Sequence, residues 1–189
     1  MTEGTPARRK RVDAQRNVGA LLEAATTVFS RSGVDAPAKE ITDLAGVGVG
    51  TLYRHFPLRS DLVVAVLHRE IEACVEAGAA LGAAHEPRVA LATWVNRLAE
   101  LIGAKRGLAA ALHSGDPAFE ALPGYFMERL EPVAASLLTA AADAGDARTD
   151  VDARDLLFAV ALLASPAPGR DFAFNQRMVA VFVDGLARS

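Results

Sequence analysis

Apolar residues along this chain recur at steps of three and four, and no stretch keeps the period of two that a half-buried strand requires. From Ala14 to Ser32 the residues Val18, Leu21, Leu22, Ala25, Val28 and Phe29 hold that rhythm, which predicts an amphipathic first helix ended near Gly33. Two short helical patterns follow, Ala38 to Ala45 and Val49 to His55, on either side of Gly46-Val47-Gly48. Pro57 stops the second, and Ser60 with Asp61 can cap a long helix carrying Leu62, Val63, Val66, Leu67, Ile71 and Val75. Further helices are predicted at about 87–103, 105–114, 119–145, 152–164 and 173–187, divided by clusters of proline, glycine and aspartate. Residues 1–13 contain Pro6 and almost nothing apolar, and are expected as a flexible arm.

Composition supports the all-α expectation. Hydrophobic residues make up 51% of the chain and charged residues 23%, enough for a real core in a soluble protein. Aromatics are only 6%, so core volume must come from aliphatic side chains on closely approaching helices. Cys74 is the one cysteine, which excludes an internal disulfide and a multi-cysteine metal cluster. The chain opens polar and basic, and charges interrupt its apolar stretches short of the roughly 20 residues a membrane span needs. The expectation is a cytoplasmic protein with neither signal peptide nor membrane helix.

Charge changes the picture further. The net charge is −3, but the first 60 residues carry nine Lys and Arg against six Asp and Glu, and the remainder eleven against seventeen. A basic head precedes an acidic body. The densest pattern in that head is the pair of short helices. In a helix-turn-helix the first helix braces the second, which enters the major groove, and the turn needs glycine where the chain reverses. Gly46 fits that place. Ile41, Leu44, Val47 and Leu52 are then expected to bury against the first helix. Gly48, Val49, Gly50, Thr51, Tyr53, Arg54 and His55 fall on or near the face left for DNA.

The run Ala45-Gly46-Val47-Gly48-Val49-Gly50-Thr51-Leu52-Tyr53-Arg54-His55-Phe56-Pro57 resembles the signature of the tetracycline-repressor (TetR) family of bacterial transcriptional regulators. The resemblance extends back through Gly33, Val34 and Ile41 and forward through Arg59, Asp61 and Leu62, covering roughly residues 16–66. It implies that Tyr53 and His55 contact backbone phosphates, that Val49, Gly50 and Thr51 approach bases, with Arg54 beside them, and that Arg59 anchors another phosphate. Hydroxyl and cationic groups suit phosphate oxygens, and small residues let a helix sit deep in the groove. Thr42 departs from the family, which usually has alanine there; a threonine hydroxyl can bond back to a helical carbonyl. The run Arg8, Arg9, Lys10 and Arg11 suits an adjacent minor groove, and equally reads as a solvated tail.

The resemblance implies a three-helix DNA-binding domain at 14–60 followed by a helical ligand-binding and dimerisation domain at 61–189. Lys105 to Leu112 resembles a segment of an actinobacterial-type branch, and Arg177 to Arg188 its usual last helix. In the family the last two helices form a four-helix interface across a two-fold axis. Leu156, Leu157, Val160, Leu163, Met178, Val179, Phe182, Val183 and Leu186 supply apolar face for such a homodimer. A small-molecule pocket would draw on Trp94, Leu98, Leu101, His113, Phe119, Tyr125, Phe126 and Met127, residues that equally read as ordinary core. The implied mechanism is a repressor whose heads sit on successive major grooves of a palindromic operator, roughly 34 to 36 Å apart. An effector would favour another spacing through the helix from Ser60 to about Leu81.

Enzymatic chemistry finds little support. His55, His68, His85 and His113 form no H-E-x-x-H pair, and His68 with Glu72 on one helical face reads as an exposed ion pair. His113, Ser114 and Asp116 stand too close in sequence to converge on one reacting atom. Gly46, Gly48 and Gly50 have neither the preceding strand nor the following Lys-Ser or Lys-Thr of a phosphate loop. No catalytic residue, metal or cofactor is expected. The rival reading is a helical interaction or ligand-binding module on the same fold without specific DNA binding, against which Tyr53, His55, Arg59 and the basic run speak.

Overall fold

The structure, a computed structural model, describes residues 6–103, 116–165 and 169–187, and for residues 6–14 the backbone alone. Its elements are α1 (Pro6–Ser32), α2 (Ala38–Ala45), α3 (Val49–His55), α4 (Arg59–Ala84), α5 (Pro87–Gly103), a 3₁₀ turn (Pro117–Phe119), α6 (Leu122–Asp143), α7 (Ala153–Ala164) and α8 (Phe172–Gly185). Among the described residues no strand occurs, only an isolated bridge between Ala147 and Ala187. No described helix is long and apolar enough to cross a membrane. The expected helix at 105–114, with His113 and the Lys105–Leu112 segment, lies outside the described residues.

Two expected boundaries change. α1 begins at Pro6, so the segment expected as an arm is helical from that proline on. Proline is pre-organised for a first turn, and the alanine, arginines and lysine behind it are good helix formers. The chain also divides differently: one compact unit comprises Met1–Leu67 with Arg106–Phe119, the other His68–Lys105 with Glu120–Ser189. The division therefore falls inside α4 and not at its start, because Leu62, Val63, Val66 and Leu67 are buried in the first turns of that helix.

In the first unit α1 packs on α2 and α2 on α3. Leu21, Ala25, Val28 and Phe29 of α1 are buried with Ile41 of α2 and Leu52 of α3. Gly33 ends α1 at φ 83°, its N–H donating to the Phe29 carbonyl at 3.0 Å. α4 starts with half of a capping box, the Asp61 carboxylate accepting the Leu58 N–H at 2.9 Å.

In the second unit α5 is the centre, packing on α6, α7 and α8. Ala90, Leu91, Trp94, Val95, Leu98 and Ala99 are buried along it, meeting Ile71 and Cys74 of α4, Leu130, Ala134 and Leu137 of α6 and Leu156, Leu157 and Val160 of α7. The Trp94 indole N–H donates to the Cys74 carbonyl at 3.0 Å. Gly78 allows this close approach, since a Cβ there would collide with Val133 and Trp94. Burial pushes the Cys74 thiol up to about 11, so it behaves as a small apolar core group. The aspartate clusters become caps: Asp152 accepts from the Asp155 N–H at 2.8 Å and Asp171 from the Phe174 N–H at 2.9 Å, opening α7 and α8.

Candidate nucleic-acid interface

The reversal between α2 and α3 is made by Gly46 at φ 69°, ψ 27°, a left-handed conformation that costs other residues a clash at Cβ. The Gly46 N–H donates to the Asp43 carbonyl at 3.3 Å and the Val47 N–H to that of Thr42 at 3.1 Å, the paired bonds of a Schellman end. Thr42 is buried, and its hydroxyl donates to the Lys39 carbonyl at 3.1 Å, the back-bond expected for a threonine at this crossing. Leu44 corrects the expected core: it is 56% exposed, because the inward face of α2 is centred between Ile41 and Thr42 and Leu44 lies well to its side.

α3 has seven residues and buries one of them, Leu52. Val49, Gly50, Tyr53 and Arg54 are exposed, and Thr51 and His55 are half-buried beside them. Gly48 and Gly50 are informative through what surrounds them: a Cβ added at either would meet no other part of the fold within 4 Å. Neither glycine has a positive φ. Gly48 is the N-cap of α3, a place that glycine suits; Gly50 lies inside the helix, where glycine costs about 0.5–1 kcal/mol relative to alanine and no neighbour in the fold requires it. The outcome is a short helix presenting a hydroxyl, a cation and two side-chain-free positions to whatever lies outside.

Arg59 stands apart from the other expected contacts. Its Nε and Nη2 donate to the Val34 carbonyl at 2.8 and 2.5 Å, and Nη2 also to the carbonyl of Ala36. Its guanidinium lies 5.0 Å from the centre of the Phe29 ring. Burial lowers its pKa from the ordinary value, opposed by the Asp35 carboxylate and by Tyr53. The side chain expected to anchor a phosphate is engaged inside the head. The side chains of Arg8, Arg9, Lys10 and Arg11 lie outside the described residues.

This geometry has known counterparts. Residues 21–66 match the family of bacterial regulatory proteins called tetR, and residues 86–188 match the C-terminal domain of SbtR-like transcriptional regulators. A TetR transcriptional regulator from Streptomyces coelicolor is 33% identical, with 91% of this chain and 99% of that one covered and a TM-score of 0.75. This chain belongs to the TetR family. A TetR regulatory protein from Mycobacterium vanbaalenii is 35% identical over 94% of this chain and 99% of its own, at a TM-score of 0.73. Among curated relatives, an HTH-type transcriptional regulator of Staphylococcus aureus is 37% identical over 68 residues, so the match spans about a third of each protein: 34% of this chain and 35% of that one.

In this TetR chain the second unit uses the residues expected for pocket and dimer differently from one another. Trp94 and Leu98 are fully buried, and Leu101, Tyr125, Phe126 and Met127 pack partly buried against the same core. Phe119 falls in the first unit. Tyr125 donates its hydroxyl to Glu72 at 2.5 Å, and Arg129 donates to the same carboxylate through Nε at 2.6 Å and Nη2 at 2.5 Å. The His68 ring lies 4.1 Å from that of Tyr125. The Arg129 and Tyr125 hydrogen bonds, against a small cost of burial, hold the Glu72 carboxyl at about 2. The hydrogen bond to Glu72 in turn raises Tyr125. The expected His68–Glu72 ion pair is thus replaced by a bidentate pair between α4 and α6. Among the described residues a surface groove of about 570 Å³ runs along Met127, Glu131, Pro132, Asp152 and Arg154, and of the expected pocket only Met127 lines it.

Part of the expected dimer face is used by the chain's own core. Leu156, Val160, Val179 and Leu186 are buried in the chain's own core, and Leu163, Met178, Phe182 and Val183 are half-buried. The large apolar residues left exposed on the last two helices are Phe158 and Leu162 on α7, 56% and 78% exposed, and Val181 on α8, 65% exposed. From Leu156 to Ala164 α7 is apolar on every face, so periodicity could not say which side its own protomer uses. Sequence reasoning also missed Asn175, which is buried and donates through Nδ2 to the Leu163 and Ser165 carbonyls at 2.6 and 2.7 Å, closing the end of α7.

Proposed function

We propose that this TetR-family chain is a homodimeric transcriptional regulator that inserts α3 into the major groove of a palindromic operator and represses until a small molecule binds its second unit. The observation that carries the reading is the face of α3, where Gly48 and Gly50 are required by no neighbour in the fold and stand beside the exposed Val49, Tyr53 and Arg54. Side-chain-free positions allow close approach to base edges; Tyr53, Arg54 and His55 supply donors for phosphate oxygens, and Thr51 offers a methyl or a hydroxyl to a base. The basic run from Arg8 to Arg11 adds charge for the backbone or an adjacent minor groove.

Dimerisation is supported by the exposed Phe158 and Leu162 on α7 and Val181 on α8, with the half-buried Met178 on α8, which a second copy would cover isologously. The effector shifts a population: it need bind the wrong-spaced dimer better by only a few kcal/mol to release the operator. The experiment is selection of random duplex DNA by the purified protein at about 150 mM salt, where charge-only binding is suppressed. The expected product is a palindrome with half-sites about one helical turn apart. Enrichment of no sequence by a folded dimer would overturn the reading and leave a helical interaction module.

A further inference from the structure

α3 is anchored by little of its own surface, since Leu52 is its one buried residue. Its direction therefore depends on how its two ends are held. The N-terminal end follows the Gly46 turn. The C-terminal end runs through Phe56 and Pro57 into Arg59, the first residue of α4. Arg59 reaches back to the carbonyls of Val34 and Ala36, immediately before α2. The start and the finish of the α2–turn–α3 segment are thus tied together at one side chain, whose guanidinium also rests on the buried Phe29 ring of α1.

We propose that Arg59 serves DNA binding as a positioning residue, a clasp that closes the base of the helix-turn-helix and fixes the direction of α3, and not as a phosphate contact. This rests on the DNA-binding reading above. The chemistry is specific to arginine: a planar fork satisfies two carbonyls and stacks on an aromatic face at once. A lysine carries the same charge but only a point donor, so it can replace a phosphate anchor far better than it can replace this clasp.

The test compares Arg59→Lys and Arg59→Ala, each verified as a folded dimer, on a duplex carrying the selected palindrome across a salt series. The clasp predicts that both variants lose affinity about tenfold or more, lysine included, with the slope of log affinity against log salt unchanged. A lysine variant that binds like the original, beside an alanine variant whose salt slope falls by about 0.9 per head, would overturn it in favour of a phosphate contact. Unchanged binding by both would overturn it as well. A second readout needs no DNA: the Arg59 Nε–H should give a slowly exchanging proton–nitrogen resonance in the free protein, and fast exchange there refutes the clasp. If the unaltered protein selects no DNA, the functional reading fails while this resonance still decides the clasp; if Arg59→Ala does not fold, the lysine variant and the resonance decide it.

Discussion

In the first unit α3 turns Tyr53 and Arg54 outward and keeps Leu52 alone for the fold, whereas in the second unit the conspicuous polar groups satisfy one another. Glu72, Tyr125 and Arg129 form a closed set, and Asn175 spends both its described bonds on carbonyls of the same chain. Among the large apolar residues that the second unit leaves exposed are Phe158 and Leu162 on α7 and Val181 on α8. Outward donors on a short helix suit a charged, hydrated partner such as DNA, and exposed apolar side chains suit a second copy of the same chain.

The comparison can be sharpened by substitutions chosen to touch one region. The largest effect is expected from Trp94→Ala, which removes the biggest side chain of the body's core together with its bond to the Cys74 carbonyl. A loss of about 3–5 kcal/mol is expected in urea unfolding, with hydrogen exchange in α1 and α2 unchanged below the transition. Next, Leu162→Glu should raise the dimer dissociation constant about a hundredfold in sedimentation equilibrium while leaving the helical content intact, and operator affinity should fall with it. Retained dimerisation by that variant would place the interface elsewhere.

Within the head, Tyr53→Ala should weaken binding to every duplex alike, and Thr51→Ala should change preference at one base pair per half-site by about 1–3 kcal/mol. Equal losses on all sequences from both would contradict the division between backbone and base contacts. In the body, Glu72→Gln should cost on the order of 1 kcal/mol near neutral pH, the pair being partly exposed. Because the folded carboxyl sits at about 2 against an ordinary 4.5, the stabilisation is present above pH 4.5 and is lost as pH falls toward 2. The gap in melting temperature between the two proteins should close over that interval.

These contrasts also explain what the sequence made legible. Apart from the start of α1 at Pro6, helix limits were readable because their signals are local: Gly33 and Gly46 need left-handed backbone, and Asp152 and Asp171 cap the helices that follow them. The outward residues of α3 were readable from one short helix against one turn. Leu44 was misplaced because a single residue's rotation decides between flank and core in an eight-residue helix. Burial on α7 was misassigned because an apolar surface on all sides carries no direction. Arg59 and the Glu72–Arg129 pair depend on groups 23 to 57 residues away, which no periodicity encodes.

The claim that α3 is shaped for a partner rather than for its own fold is tested most directly by Gly50→Ala, measured twice. A methyl group there meets open space, so the head should gain about 0.5–1 kcal/mol of stability in thermal unfolding. The same methyl stands where the helix approaches DNA, so affinity for the selected palindrome should fall. Opposite signs in the two measurements are the predicted result, and a variant that is more stable and binds that duplex unchanged or more tightly would contradict it.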